Sequence, residues 1–361
     1  SRCGSQPSWE RSSGCSVSEH LDERPKRAAR PVVGPARARA RTLDGPDFLA
    51  QIAQDYYLHD ENQDAIAARY RISRSYVSRL LRRARETGIV EIRINRQVRR
   101  DAALEAALLE RYPLERCLVV AEPSSDPAET LRLAGRLAAG LLAEVLSPDT
   151  TLALAWGNGV RAAVTALTPD RLRVRRVVQM FGGLSGTPTE IMSGELITEA
   201  ARVLGAQPDR LHAPWIVETA ELAQALAEEP DIATVLRRAA GAEVALVGIG
   251  ATGLGSSALL FNERYLSARE LAEIDTCGAV GDICGRLFDA DGRPCRASVM
   301  NRVVGLELER IRRIPLVIGV ATGRPKVRAI KAALRGGLIR GLVTDSEVVR
   351  DIVAAAEAPS A

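Results

Sequence analysis

Five short apolar runs recur along this chain: CLVVA (117–121), TLALAW (151–156), RVVQM (176–180), VALVGIG (244–250) and PLVIGVA (315–321). They are rich in Val, Ile and Leu and lack the polar alternation of a strand with one face in water. Such runs suit strands buried on both faces, as in a parallel sheet. Between them lie stretches with helical periodicity at 128–146, 190–204, 219–239 and 325–335. A strand that returns parallel to its neighbour needs a crossover, and a helix supplies it. The pattern predicts an α/β domain over residues 113–357, a Rossmann-like parallel sheet with helices on both faces. No segment repeats at a fixed period.

Three of these runs lead into glycine-rich turns. TLALAWGNGVRAAVTAL reads as strand, turn and helix. Gly157 and Gly159 permit the sharp reversal, and the helix N-terminus that follows offers unpaired N–H groups to an anion. QMFGGLSG (179–186) and VGIGATG (247–253) end two further strands in the same way. Open α/β sheets bind ligands outside the carboxyl ends of their strands. Three such turns therefore predict a pocket for a small, phosphate-bearing ligand. GAVGDICGRLFDADG (278–292) adds Asp282, whose carboxylate can accept bonds from sugar hydroxyls, while Asp289 and Asp291 shape a turn at Gly292. In VIGVATGRPKVRAIKAALRGG (317–337), Lys326 stands at a helix start. A lysine there opposes the helix dipole unless an anion sits nearby.

The N-terminal part has a different grammar. Residues 1–45 are rich in Ser, Arg, Pro and Ala without period and read as a disordered tail. From Asp47, FLAQIAQDYYLHD sets Phe48, Ile52, Ala53 and Tyr56 at helical spacing. In NQDAIAARYRISRSYVSRLLRRARETG, Asn62 caps a second helix with Ala65, Ile66 and Ala68 inward. Arg71 and Ile72 make a turn, and Ser73 caps a third helix that runs to Thr87. Its inward face is Tyr76 or Val77, Leu80, Leu81 and Ala84, and Gly88 ends it. IVEIRI then alternates like a short strand or wing.

Two helices, a tight turn and a third helix opening Ser-Arg-Ser-Tyr-Val-Ser-Arg form a winged helix-turn-helix domain over 46–95. The third helix presents Arg74, Ser75, Ser78 and Arg79 outward, where Arg pairs with guanine edges and Ser with bases or phosphate. Gln63 is placed to touch a phosphate, and Arg82, Arg83 and Arg85 continue the basic face. The DNA-facing set is Gln63, Arg74, Ser75, Tyr76, Ser78, Arg79 and Arg82. Between Asn62 and Arg100 there are eleven Arg against three acids, whereas the whole chain carries only +4. The remainder is thus net acidic, and the concentrated charge is the footprint of a phosphate-backbone binder. Residues 96–112 read as a linker and an amphipathic oligomerisation helix with Ala103, Leu104, Ala107 and Leu108 on one side. Since one recognition helix covers few base pairs, a dimer or tetramer is expected.

No apolar run approaches the length of a membrane span, and the N-terminus lacks a signal-peptide core. A cytoplasmic protein without a membrane partner is expected. Cys3, Cys15, Cys117, Cys277, Cys284 and Cys295 form no CxxC pair, so thiols are expected in place of a metal centre or disulfides. Turnover of a sugar would need a positioned acid and base. Asp282 is the one strong candidate, and His212 reads as a packed strand-end residue, so neither a catalytic set nor a cofactor is assigned.

Over residues 47–356 the chain resembles the SorC family of sugar-binding transcriptional regulators. The resemblance is carried by SRSYVSRLLRRARETGIV, LAWGNGV, VVQMFGG, LHAPWIV, ALVGIG, GAVGDICGRLFDADG and IPLVIGVATGRPKVRAIKAALRGGLIRGLVTD. It implies a domain similar to the glucosamine-6-phosphate deaminase and ribose-5-phosphate isomerase group. It also implies a sugar-phosphate effector, an oligomer, and control of a carbohydrate operon through double-stranded operator DNA. By position, Gly157, Asn158 and Gly159 would cradle the phosphate. Gln179, Gly182, Gly183, Gly250, Asp282 and Lys326 would surround the sugar. The chain departs from the family at Asn158 and Gly159, where members often carry Arg or Lys and then Thr. That removes a charge-assisted contact worth about 1.5–3 kcal/mol. An isomerase- or deaminase-like enzyme with a DNA-binding appendage is the alternative reading.

Overall fold

Residues 45–90, 98–168, 172–183, 193–252 and 265–354 are described by the structure, a computed structural model. The chain divides into two units, residues 1–95 and 96–361.

Helix ends in the first unit are set by local chemistry. Helix α1 (Pro46–Tyr57) opens with proline, whose missing N–H has no helical partner there. In α2 (Gln63–Tyr70), the Asn62 side chain accepts from the Ala65 N–H at 2.8 Å. Arg71 turns left-handed at φ 55°, and Ser73 then accepts from the Tyr76 N–H at 3.2 Å to start α3 (Arg74–Glu86). Gly88, at φ 74°, lies just beyond the end of α3 in the left-handed conformation expected of it. Phe48, Leu49, Ile52, Ala53, Ile66, Ala67, Val77, Leu80, Leu81 and Ala84 form one core. In α2 the inward alanine is Ala67, while Ala65 and Ala68 are exposed. Of the expected wing, Val90 donates to the Ala84 carbonyl at 2.9 Å; residues 91–97 lie outside the described residues.

The second unit contains ten described strands: β1 (Arg116–Val120), β2 (Thr151–Leu154), β3 (Arg176–Gln179), β4 (Gln207–Asp209), β5 (Val244–Gly248), β6 (Gly250–Ala251), β7 (Gly281–Ile283), β8 (Arg286–Phe288), β9 (Leu316–Val320) and β10 (Gly341–Asp345). Seven form one sheet in the order β1-β10-β9-β5-β2-β3-β4, parallel throughout. β2 and β10 are buried along their whole length, so the sheet is covered on both faces. From β2 the chain proceeds outward to β3 and β4, and from β5 it proceeds the other way to β9 and β10. The boundary between β2 and β5 is the switch point where open α/β sheets place ligands.

All five apolar runs are strands of this sheet. The expected helix over 219–239 is two helices, α8 (Ala220–Glu228) and α9 (Pro230–Ala240), because the residue before a proline is driven out of the helical region. The small antiparallel sheet β6-β7-β8 has strands of only two or three residues, too short to show a period. Its hairpin turns at Cys284 and Gly285, both at positive φ (55° and 72°), as a two-residue turn with the strand's own twist requires.

The edge of the sheet at β1 is covered by the incoming chain. Asp101 donates its N–H to the Val119 carbonyl at 3.0 Å, and Ala121 donates to the Arg99 carbonyl at 2.9 Å. Glu105 of helix α4 (Ala102–Arg111), 5% exposed, accepts from the Val119 N–H and from Arg100 Nε, each at 2.9 Å. Leu108 is fully buried and Leu104 packs on the core. The exposed side of α4 is instead Ala102, Ala103, Ala106 and Leu109, so Leu104 and Leu108 do not form the outward oligomerisation face expected from sequence.

Candidate DNA-reading helix and effector pocket

On α3, Arg74, Ser75, Ser78, Arg79 and Arg82 are exposed, and Val77 takes the inward position that the sequence left between it and Tyr76. Tyr76 is half-buried, with the Arg79 guanidinium 5.4 Å from its ring centroid. Arg74 lies 3.7 Å from Asp64 and Arg82 lies 3.8 Å from Glu86; all four side chains are well exposed. Pairs of this kind hold weakly in water and yield readily to a phosphate. Gln63 opens α2, half-buried. The resulting surface is short polar and basic side chains on the first turns of a capped helix.

In the second unit, helix α6 (Asn158–Ala166) begins directly after β2. Its cap is Gly157, at φ 137° and ψ 167°, and no side chain caps it. A Cβ on Gly159 would stand 2.5 Å from the Val320 carbonyl oxygen at the end of β9. Gly159 is therefore a packing residue that lets α6 approach β9. Asn158, beside it, is exposed.

After β9, the loop Ala321–Gly323 and a short turn lead to Lys326 and the helix Val327–Arg335. Lys326 Nζ donates to the Ile249 carbonyl at 2.9 Å, just beyond β5. Burial pushes the Lys326 pKa down from its usual 10.5, and the Asp282 carboxylate opposes that shift. Asp282 pairs across the small sheet with Gly250, and its Oδ2 accepts from the Gly285 N–H at 3.1 Å. Thus Gly250, Asp282 and Lys326, scattered through the sequence, come together just beyond β5, while Gly159 packs on the end of β9.

Gln179, Gly182 and Gly183, expected around the sugar, have partners within the protein. Gln179 is 2% exposed; its Nε2 donates to the Phe181 carbonyl at 2.7 Å and its Oε1 accepts from the Leu211 N–H at 3.1 Å. The N–H groups of Gly182 and Gly183 donate to the Val304 and Ala213 carbonyls. Trp156 Nε1 donates to the Gly182 carbonyl at 2.9 Å, and its ring stacks on Phe181 with 4.7 Å between centroids. Trp215 meets Trp156 edge-on at 5.3 Å. These residues brace the end of β3. An isolated Trp carries no partner in sequence, so this aromatic packing left no signal along the chain.

Arg286 also escaped the sequence reading. It is 5% exposed, donates to the Leu306, Met300, Val303 and Gly305 carbonyls, and pairs with Glu307 at 2.7 Å. It anchors the hairpin that carries Asp282. His212 is exposed, contrary to its expected packing. The turn at Gly292 forms as expected, with Asp289 Oδ1 accepting from the Asp291 and Arg293 N–H groups at 2.9 Å. Cys117, Cys277, Cys284 and Cys295 are free thiols, and burial pushes that of Cys117 up to about 12. No helix among the described residues is long and apolar enough to cross a membrane.

Known proteins match this arrangement over nearly its whole extent. The Sugar-bind family, a sugar-binding domain, matches residues 96–354, and a helix-turn-helix domain family matches residues 50–102. The transcriptional regulator LsrR of Klebsiella pneumoniae is 33% identical over 86% of this chain and 94% of its own length. The deoxyribonucleoside regulator of Bacillus subtilis is 31% identical over 84% and 96%. The full-length sorbitol operon regulator SorC from Klebsiella pneumoniae superposes with a TM-score of 0.64 at 28% identity, over 85% of this chain and 99% of that one. A sugar-binding domain of a transcriptional repressor from Vibrio fischeri gives 0.65 at 28% identity, over 72% and 100%. With regulators sharing both parts in the same order, the chain belongs to the SorC family of sugar-binding, DNA-binding transcriptional regulators.

Proposed function

We propose that the chain regulates a carbohydrate-use operon, and that its effector is a small phosphorylated sugar held at the carboxyl ends of β2, β5 and β9. Lys326 carries this reading. Its ammonium is part-buried against its own charge, at the start of the helix Val327–Arg335, which no side chain caps. Desolvation disfavours a charged amine, and an anion alongside offsets that cost. One of its three N–H groups goes to Ile249, and a phosphate oxygen suits another. Asn158 and the first N–H groups of α6 face the same need, and Asp282 and Gly250 serve the sugar hydroxyls. In the other unit, Gln63, Arg74, Ser75, Tyr76, Ser78, Arg79 and Arg82 meet double-stranded operator DNA. The names of the deoxyribonucleoside and sorbitol operon relatives support a sugar-linked role.

Calorimetry of wild type and Lys326→Ala against one sugar, with and without its phosphate, tests the assignment. The phosphorylated ligand should lose far more affinity than its parent. Equal losses would remove Lys326 from the phosphate. Because the Lys326 pKa is lowered from 10.5, affinity for the phosphorylated ligand should fall with rising pH before an ordinary lysine titrates. That pH dependence should be absent in Lys326→Ala. Gly159→Val is the poorer probe, since it disrupts the contact with Val320 whether or not ligand binds.

A further inference from the structure

The helix Ser346–Ala354 touches both the loop that carries Lys326 and the segment that joins the two units. Toward the loop, Asp345 ends β10 and is 1% exposed; its Oδ2 accepts from the Gly323 N–H at 2.7 Å. Its Oδ1 accepts from the Val348 N–H at 3.1 Å, so one carboxylate both caps the helix and holds the loop. Arg324 Nε lies 3.3 Å from Glu347 and 3.6 Å from Asp351 on the same helix. Toward the linker, Ser346 is fully buried and its Oγ donates to the Ala121 carbonyl at 3.0 Å. Ala121 in turn donates to the Arg99 carbonyl at 2.9 Å, and Arg350 lies 3.9 Å from Asp101.

We propose that Asp345 and Ser346 are positioning residues that tie the effector loop at 321–326 to residues 99–101, the segment on the path to the DNA-binding unit. The proposal rests on the effector reading of Lys326. Its physical basis is burial. A carboxylate or hydroxyl with no water at hand must keep its partners, because leaving one unmet costs the desolvation of that group. Gly323 cannot move on ligand binding without leaving Asp345 or drawing it along. Ser346, the next residue, shares that displacement and passes it to Ala121. Nothing in the ion pairs alone would do this, since exposed pairs reform at little cost. The buried Asp345–Ser346 step makes the route continuous.

Hydrogen exchange of the full chain, with inorganic phosphate as the probe, tests the tie. Without phosphate, Ser346→Ala should speed exchange of the Ala121 and Asp101 amides about tenfold, the loss expected of one buried hydrogen bond. Amides of β2 and β5 should keep wild-type rates, which separates a local tie from general loosening. The isosteric Asp345→Asn should speed exchange at Gly323 and Ala121 together. With phosphate, wild type should show slower exchange at Gly323 and a changed rate at Asp101 and Ala121. In Ser346→Ala only the Gly323 response should remain. Unchanged rates at Ala121 and Asp101 in phosphate-free Ser346→Ala would overturn the proposal, as would a linker response to phosphate that persists in that variant. Phosphate that leaves Gly323 of wild type unchanged overturns the effector reading alone, and the phosphate-free rates still support or overturn the tie.

Discussion

Asp55 lies in the core of the DNA-binding unit at 2% exposure and gathers polar partners from three directions. It accepts from the Tyr70 hydroxyl at 2.6 Å and approaches His59 Nδ1 at 3.3 Å, with Arg69 at 3.5 Å. Burial by itself would raise its pKa, but the bonds from Tyr70 and His59 and the charge of Arg69 outweigh it, so the pKa falls below 3.8. The charged form is therefore favoured in the folded state. Its stabilisation is fully present above 3.8 and is lost as pH falls through the lower, folded value. Tyr70→Phe removes the shortest of these bonds and should cost about 1.5–3 kcal/mol, the range for a bond to a charged group. Thermal melts of the unit at neutral pH and below pH 3.8 would check both points. The mutant should lose its deficit at the acid end, and a deficit independent of pH would contradict the account.

At the scale of the element, α3 serves two surfaces at once. Val77, Leu80, Leu81 and Ala84 tie it to α1 and α2, while Arg74, Arg79 and Arg82 lie on its exposed face. Substitution on the outward face should then alter binding without altering the fold. Arg74→Ala and Arg79→Ala should each weaken operator binding by about 1–3 kcal/mol. Gel shifts at a stated salt concentration measure this, with circular dichroism to establish folding. Unchanged affinity in both folded variants would mean that α3 does not read the operator. Arg79 also lies over the Tyr76 ring, so its truncation removes a contact that orients the side chain.

For the whole molecule, a two-unit regulator with one short recognition helix per chain gains length of contact by pairing. We expect at least a dimer in solution, because two helices a turn of DNA apart read twice the site. The surface on α4 available for pairing is Ala102, Ala103, Ala106 and Leu109, with Leu109 39% exposed. Light scattering of the DNA-free protein at micromolar concentration should report a mass of at least twice 38.8 kDa. A monomer would count against it.

Sequence alone determined what local patterns encode. Asn62, Ser73 and Gly88 marked helix ends because caps and left-handed turns depend on one or two neighbouring residues. Val- and Leu-rich runs announced a buried parallel sheet because burial on both faces removes polar alternation. Only the tertiary structure decided which glycines meet backbone and which could meet a ligand. Gly159 owes its identity to Val320, some 160 positions away, and Gln179 to Leu211. The same holds for Arg286 among four carbonyls and for Asp345 holding Gly323. A buried polar group takes its partners from whatever the fold brings within hydrogen-bonding distance, and no spacing along the chain records that choice.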